Sequence, residues 1–181
     1  EDGAVHLRAP AWTGLVRGIT TLLQILEEVE EQGCIPRFRI ADWPRLASRG
    51  IHYDLAREME YRPAYMKTVV QRLAYFKFNT FHLYLEGTYA YQSAPEITPP
   101  GAMTEQDARE LVEWARLFGI TVIPQVPTLG HMDKILHGPY VELREVPDNP
   151  FNLCPTHPRA RPFLAGLLQD VAEGFKSPFI H

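Results

Sequence analysis

The chain has 181 residues, 45% of them hydrophobic and 22% charged, with a formal net charge of −4 at pH 7. That is the make-up of a globular domain with material for one core. It argues against a nucleic-acid partner, because no basic cluster offsets the negative balance, and against a membrane partner, because no apolar run reaches membrane-spanning length.

The start, EDGAVHLRAP, lacks the charged and apolar regions of a secretory signal, so the compartment is left open. Val5 to Ala9 reads as a strand, and Gly14 to Glu31 as a helix with Ile19, Leu22, Leu23 and Leu26 on its inner face and Gly33 beyond its end. Ile35 to Ile40 reads as a second strand. Cys34, together with Cys154, is too little for a disulfide framework or a zinc site, and both read as free thiols.

From residue 46 onward the pattern becomes regular. Gly50 to Asp54 is a candidate strand, and Pro63 opens a helix to about Lys77 with Met66, Val69, Val70, Leu73 and Phe76 turned inward. Thr80 to Leu85 is the next strand. Thr104 to Phe118 is a helix with Thr104 as N-cap, Asp107 three residues on and Gly119 at its close. Thr121 to Val126 is the third strand, Pro158 to Phe175 a helix, and a fourth strand begins at Phe179.

Strand and helix alternate here with no hairpin signal, which predicts a parallel α/β sheet. Eight such units closing into a barrel need about 250 residues, so the expected fold is a partial (β/α)8 barrel of three to four units. An open doubly wound sheet is the alternative. The long segments Glu86 to Met103 and Pro127 to His157 favour the barrel, whose chemistry is built on the loops that follow its strands. Sixteen prolines, many of them in these segments, stiffen the connections.

Candidate chemistry lies where the strands begin and end. The first is entered through Arg49 and leaves through Asp54 and Arg57; the second carries His82, Tyr84 and Glu86; the third leads to Thr128, Gly130 and His131. Arg49 can equally pair with Asp42 or Asp54, and Asp54 with Arg57. The trio His131, Asp133 and His137 has no strong metal-ligand spacing, and no metal is expected. Tyr84, Tyr89 and Tyr91 either stack on a sugar ring or line a rim. No glycine-rich phosphate loop follows any strand, so no cofactor is expected.

Three runs carry a resemblance: RGIHYDLAR at Arg49 to Arg57, KFNTFH at Lys77 to His82, and VIPQVPTLGH at Val122 to His131. With IPRFRIADWPRLAS before them and LCPTHPRARPFLAGLLQDVAEGFKSPFIH after them, the chain resembles the β-N-acetylhexosaminidases of glycoside hydrolase family 20. The resemblance implies that residues 1–45 are the C-terminal part of a small α/β domain and residues 46–181 the N-terminal half of a catalytic barrel. It implies a substrate with a terminal N-acetylglucosamine or N-acetylgalactosamine, cleaved with retention through the substrate's own acetamido oxygen.

By position, the resemblance assigns substrate-binding or supporting roles to Arg49, Glu86 and His131. It makes Gly87 a departure, since the family commonly has Asp there. The Asp-Glu pair that would supply the general acid is not among the 181 residues and is expected just after His181, so the chain by itself should be inactive. A non-catalytic sugar-binding protein and a self-associating half-barrel are the competing readings.

Overall fold

A computed structural model describes residues 3–29, 33–35, 37–57 and 61–181. Its organising element is a parallel sheet of three strands, β1 (Gly50–Asp54), β2 (Thr80–Tyr84) and β3 (Thr121–Gln125), in the order β1-β2-β3. The strands run in register, with His52 opposite His82 and His82 opposite Ile123. Paired residues in a parallel sheet share a face, so the two faces can be read from the ladder. Ile51, Phe81 and Val122, then Tyr53, Leu83 and Pro124, form an apolar face; His52 and His82, then Asp54, Tyr84 and Gln125, form a largely polar one.

Helices cover the apolar face. α2 (Pro63–Tyr75) buries Met66, Val70 and Leu73, and α3 (Glu105–Leu117) buries Ala108, Leu111 and Ala115. α4 (Ala160–Phe175) adds Leu167, Val171 and Phe175 to the same core. α3 is capped as its sequence predicts: Asp107 N donates to Thr104 Oγ1 at 3.1 Å, and Thr104 N donates to the Asp107 carboxylate at 2.9 Å. The polar face is the lumen side, and His181 extends it: its N–H donates to Pro124 O and its carbonyl accepts from Val126 N, both at 2.9 Å. This is the start of a parallel ladder along the free edge of β3, where the fourth strand was expected, and the architecture is half of a (β/α)8 barrel.

Four expectations need correction. The described residues of Val5 to Ala9 and Ile35 to Ile40 form no strand, because no ladder partner lies beside them; Pro36 is outside the described residues. α1 (Trp12–Val29) is a helix, but Ile19, Leu23 and Leu26 point outward, and it is held by polar groups on its other side. Arg17 donates to Phe78 O at 2.6 Å and Gly119 O at 3.1 Å, and Gln24 to Tyr75 O at 2.9 Å, which fixes α1 at the end of the sheet where β2 and β3 begin. The last expected residues of that helix, Glu30 and Glu31, lie outside the described residues.

Phe76 is also exposed, since α2 ends one residue before it and Phe76 occupies the C-cap. Finally, the long loop after β3 does contain a hairpin. β4 (Arg144–Val146) pairs antiparallel with β5 (Asn149–Leu153) across Pro147 and Asp148. The Arg144 side chain fastens this hairpin, donating to Leu136 O at 2.9 and 2.8 Å and to Pro147 O at 3.0 Å.

Candidate active site

Three side chains meet beyond the C-terminal ends of the strands. Arg57 follows β1, Glu86 follows β2 and His131 follows β3. The Arg57 guanidinium lies 3.3 Å from Glu86 Oε2 and 3.2 Å from Asp54 Oδ2, and its other terminal nitrogen lies 3.2 Å from His131 Nδ1. An arginine only donates, so His131 accepts at Nδ1 and carries its ring proton on Nε2. The guanidinium also lies over Tyr84, 5.3 Å from the ring centroid.

Local backbone geometry aims these groups. Leu85 still bonds β3 through its N–H to Gln125 O at 3.0 Å, and the next residue, Glu86, turns into the left-handed region at φ 46°. His131 does the same at φ 57°. Side-chain-bearing residues adopt this conformation at a cost of roughly 1–2 kcal/mol, and two of the four that do so among the described residues fall in this cluster, the others being Lys77 and Lys176. A Cβ at Gly87 would sit 2.8 Å from Lys134 O, so the loop carrying His131 can approach only a glycine there.

Glu86 is 1% exposed. Burial, reinforced by the neighbouring Asp133 carboxylate, raises its pKa to about 7, against the opposing pull of the Lys134 N–H and Arg57. Lys134 N donates to Glu86 Oε1 at 3.4 Å, and Lys134 Nζ is occupied by Ala56 O at 2.6 Å. Burial and Asp133 therefore favour the protonated form of Glu86, and the Lys134 N–H and the Arg57 cation oppose them.

The structure does not bring Arg49 to this cluster. It stands before β1, at the opposite end of a five-residue strand that spans about 15 Å at roughly 3.3 Å per residue. Its guanidinium is spent on Leu46 O at 2.6 Å and Lys77 O at 3.1 Å, and its N–H donates to Asn79 Oδ1 at 2.7 Å. These bonds tie the entry of β1 to that of β2, a structural duty. Sequence reasoning passed over Arg57 as an ion-pair partner of Asp54, which it is, and missed that the same guanidinium joins Glu86 and His131. The signal was available: in parallel α/β folds ligands sit where strands end, and Arg57 is the arginine at that end of RGIHYDLAR.

Two other candidates dissolve. Tyr89 and Tyr91 are core residues, 2% and 1% exposed, and Tyr91 Oη donates to Glu86 O at 2.8 Å beneath the site. His131, Asp133 and His137 do not converge, and the described residues contain no group of three acidic, histidine or cysteine side chains able to hold a metal. A separate cleft of about 540 Å³ lies between the two long loops, lined by residues that include Leu55, Thr88, Thr98 and Lys134 but neither Arg57 nor His131.

A half-barrel with a strained polar cluster at the C-terminal ends of its strands belongs to the class of (β/α)8 barrels, in which sites are built from the loops after each strand. Comparison with known proteins makes the class specific. The glycosyl hydrolase family 20 catalytic domain matches residues 47–181. The chain is 29% identical to a beta-hexosaminidase of Vibrio furnissii over 98% of its own length and 30% identical to beta-hexosaminidase subunit beta of Homo sapiens over 100%, and it spans 35% of each relative.

Among solved structures it superposes on a beta-N-acetylhexosaminidase with a TM-score of 0.81 at 27% identity, covering 93% of this chain and 42% of that one. It superposes on an exo beta-N-acetylglucosaminidase of Vibrio harveyi, in complex with N-acetylglucosamine, with a TM-score of 0.77 at 25% identity, covering 96% and 33%. The chain belongs to glycosyl hydrolase family 20.

Proposed function

We propose that this chain supplies the terminal-sugar-holding half of a glycosidase that removes N-acetylglucosamine or N-acetylgalactosamine from the non-reducing end of a glycan. Residues 46–181 are its half-barrel, and residues 1–45 are the end of a small α/β domain. The observation that carries the reading is the convergence of Arg57, Glu86 and His131 at the mouth, on a chain of this family. The planar guanidinium fork of Arg57 can donate to two adjacent ring hydroxyls, and Glu86, Asp54 and His131 hold it in place before the sugar arrives. The arginine role assigned to Arg49 by resemblance passes to Arg57 on position.

The reaction on this reading is retaining and substrate-assisted: the acetamido oxygen attacks the anomeric carbon, giving an oxazolinium intermediate. The Asp that steers the acetamido group and the Glu that protonates the leaving oxygen are not among the 181 residues, so the purified chain binds sugar without hydrolysing it. Titration of N-acetylglucosamine into the 15N-labelled chain tests this. Chemical-shift changes centred on Arg57 and His131, lost in Arg57→Ala and kept in Arg49→Ala, are expected, with no turnover of an aryl N-acetylglucosaminide. Loss of binding in Arg49→Ala with an intact fold, or turnover by the chain alone, would overturn the reading.

A further inference from the structure

His131 is exposed and strained at φ 57°, and yet its Nδ1 lies 3.2 Å from Arg57, so something must hold it. The β4–β5 hairpin does so from three directions. Met132 N donates to Phe151 O at 3.0 Å and Leu153 N donates to Leu129 O at 2.9 Å, so two backbone bonds clamp the loop on either side of His131. The Phe151 ring packs against the imidazole, with centroids 4.6 Å apart and planes at 62°. Asn149 Oδ1 accepts Phe151 N at 3.0 Å, which sets the backbone that carries the ring.

From these contacts we propose that Phe151 is a positioning residue for the sugar site: its ring fixes the rotamer in which His131 Nδ1 faces Arg57, and the hairpin is a buttress of the mouth. The inference deepens the sugar-binding reading above and names a residue that touches neither Arg57 nor Glu86. The physical case is that an imidazole on a left-handed residue has no strand neighbours to limit it. Of the two χ angles that place Nδ1, the backbone clamp fixes neither, while a ring packed edge to face at 4.6 Å restricts both. The hairpin can bear this load because Arg144 locks it to the Leu136 carbonyl and because Cys154 N bonds Leu143 O at 2.8 Å.

The test needs no sugar. His131 χ1 couplings and the nuclear Overhauser contacts between its ring and the Arg57 side chain are measured by NMR in the 181-residue chain, in Phe151→Ala and in Phe151→Tyr. The expected result is one rotamer in the parent, a fall of about two- to tenfold in its population ratio in Phe151→Ala, the range an aromatic pair of this kind supports, and recovery in Phe151→Tyr. An unchanged rotamer in Phe151→Ala overturns the proposal. If Phe151→Ala does not fold, Phe151→Leu keeps most of the apolar volume without the ring; averaging of His131 there supports the proposal, and an unchanged rotamer overturns it. Addition of N-acetylglucosamine afterwards separates the two readings, since absent shifts sink the sugar site while leaving the positioning result intact.

Discussion

Replacing Glu86 by Gln should change how the stability of this protein depends on pH. Glu86 is 1% exposed and its pKa is raised from 4.5 to about 7, first by burial and then by Asp133. Between those two values the folded chain holds a proton that the unfolded chain has released, so stability falls as pH rises. The contribution is whole below about pH 4.5 and gone above about pH 7. A difference of 2.5 pK, from 4.5 to about 7, corresponds to about 3 kcal/mol at roughly 1.4 kcal/mol per unit. Gln matches the protonated carboxyl in shape and never ionises. Urea unfolding of both proteins at several pH values from about 4.5 to about 8 should therefore show the parent losing about 3 kcal/mol relative to Glu86→Gln across that interval. Parallel profiles would refute burial as the dominant influence on Glu86. A parent that gains on the variant as pH rises would show that Arg57 holds the carboxylate charged.

Three further substitutions probe the same cluster. Asp133→Asn removes a charge that pushes the Glu86 pKa up, so the midpoint of the Glu86 carboxyl titration, followed by 13C NMR, should move to lower pH. Gly87→Ala places a methyl 2.8 Å from Lys134 O and 3.2 Å from Lys134 Cβ; with backbone as the obstacle, it should cost about 1–3 kcal/mol in denaturant unfolding. His131→Gly relieves a left-handed residue, worth about 1–2 kcal/mol, and loses the Phe151 contact, worth about 0.5–1.5 kcal/mol. Its melting temperature by calorimetry should stay within a few degrees of the parent while N-acetylglucosamine binding weakens.

Much of the fold was legible because its elements are long and periodic. Helix spacing placed α2, α3 and α4, the Thr104 and Asp107 pair marked a real capping box, and β1 to β3 appear where apolar runs meet turn residues. What failed did so for identifiable reasons. β4 has three residues, too few for an alternation to register, and prolines stand in and beside the turn, so the hairpin was invisible. The Ile19, Leu23 and Leu26 stripe of α1 shows which face is apolar but not what covers it, and in the structure that face stays about half exposed, with Cys34 and Ile35 lining a hollow beside Leu23 and Leu26. RGIHYDLAR has an arginine at each end. Motif position singles out Arg49, whereas strand direction puts Arg57 and not Arg49 at the mouth, because only one end of a parallel strand opens on it.

The energetics of the cluster argue that it is not kept for folding. Arg57 is about half exposed, with 52% of its side chain open, so its contacts to Asp54 and His131 contribute little to stability. Glu86 is the reverse case, a buried carboxyl whose ionised form is penalised at neutral pH. Glu86 and His131 each adopt a backbone conformation that disfavours side chains, beside glycines, Gly87 and Gly130, that do not themselves take positive φ. At His131 a sequence free to choose for stability would exchange the residue with Gly130, where a Cβ meets only ordinary contacts, and would lose the imidazole that reaches Arg57; at Glu86 the exchange is closed, because a Cβ at position 87 would sit 2.8 Å from Lys134 O. On the proposed sugar-holding role, the strain at the strand ends, the closeness of Lys134 to Gly87 and the hairpin behind His131 would serve one end: a cation already fixed in direction when a polyol arrives, which holding a sugar ring requires and folding does not.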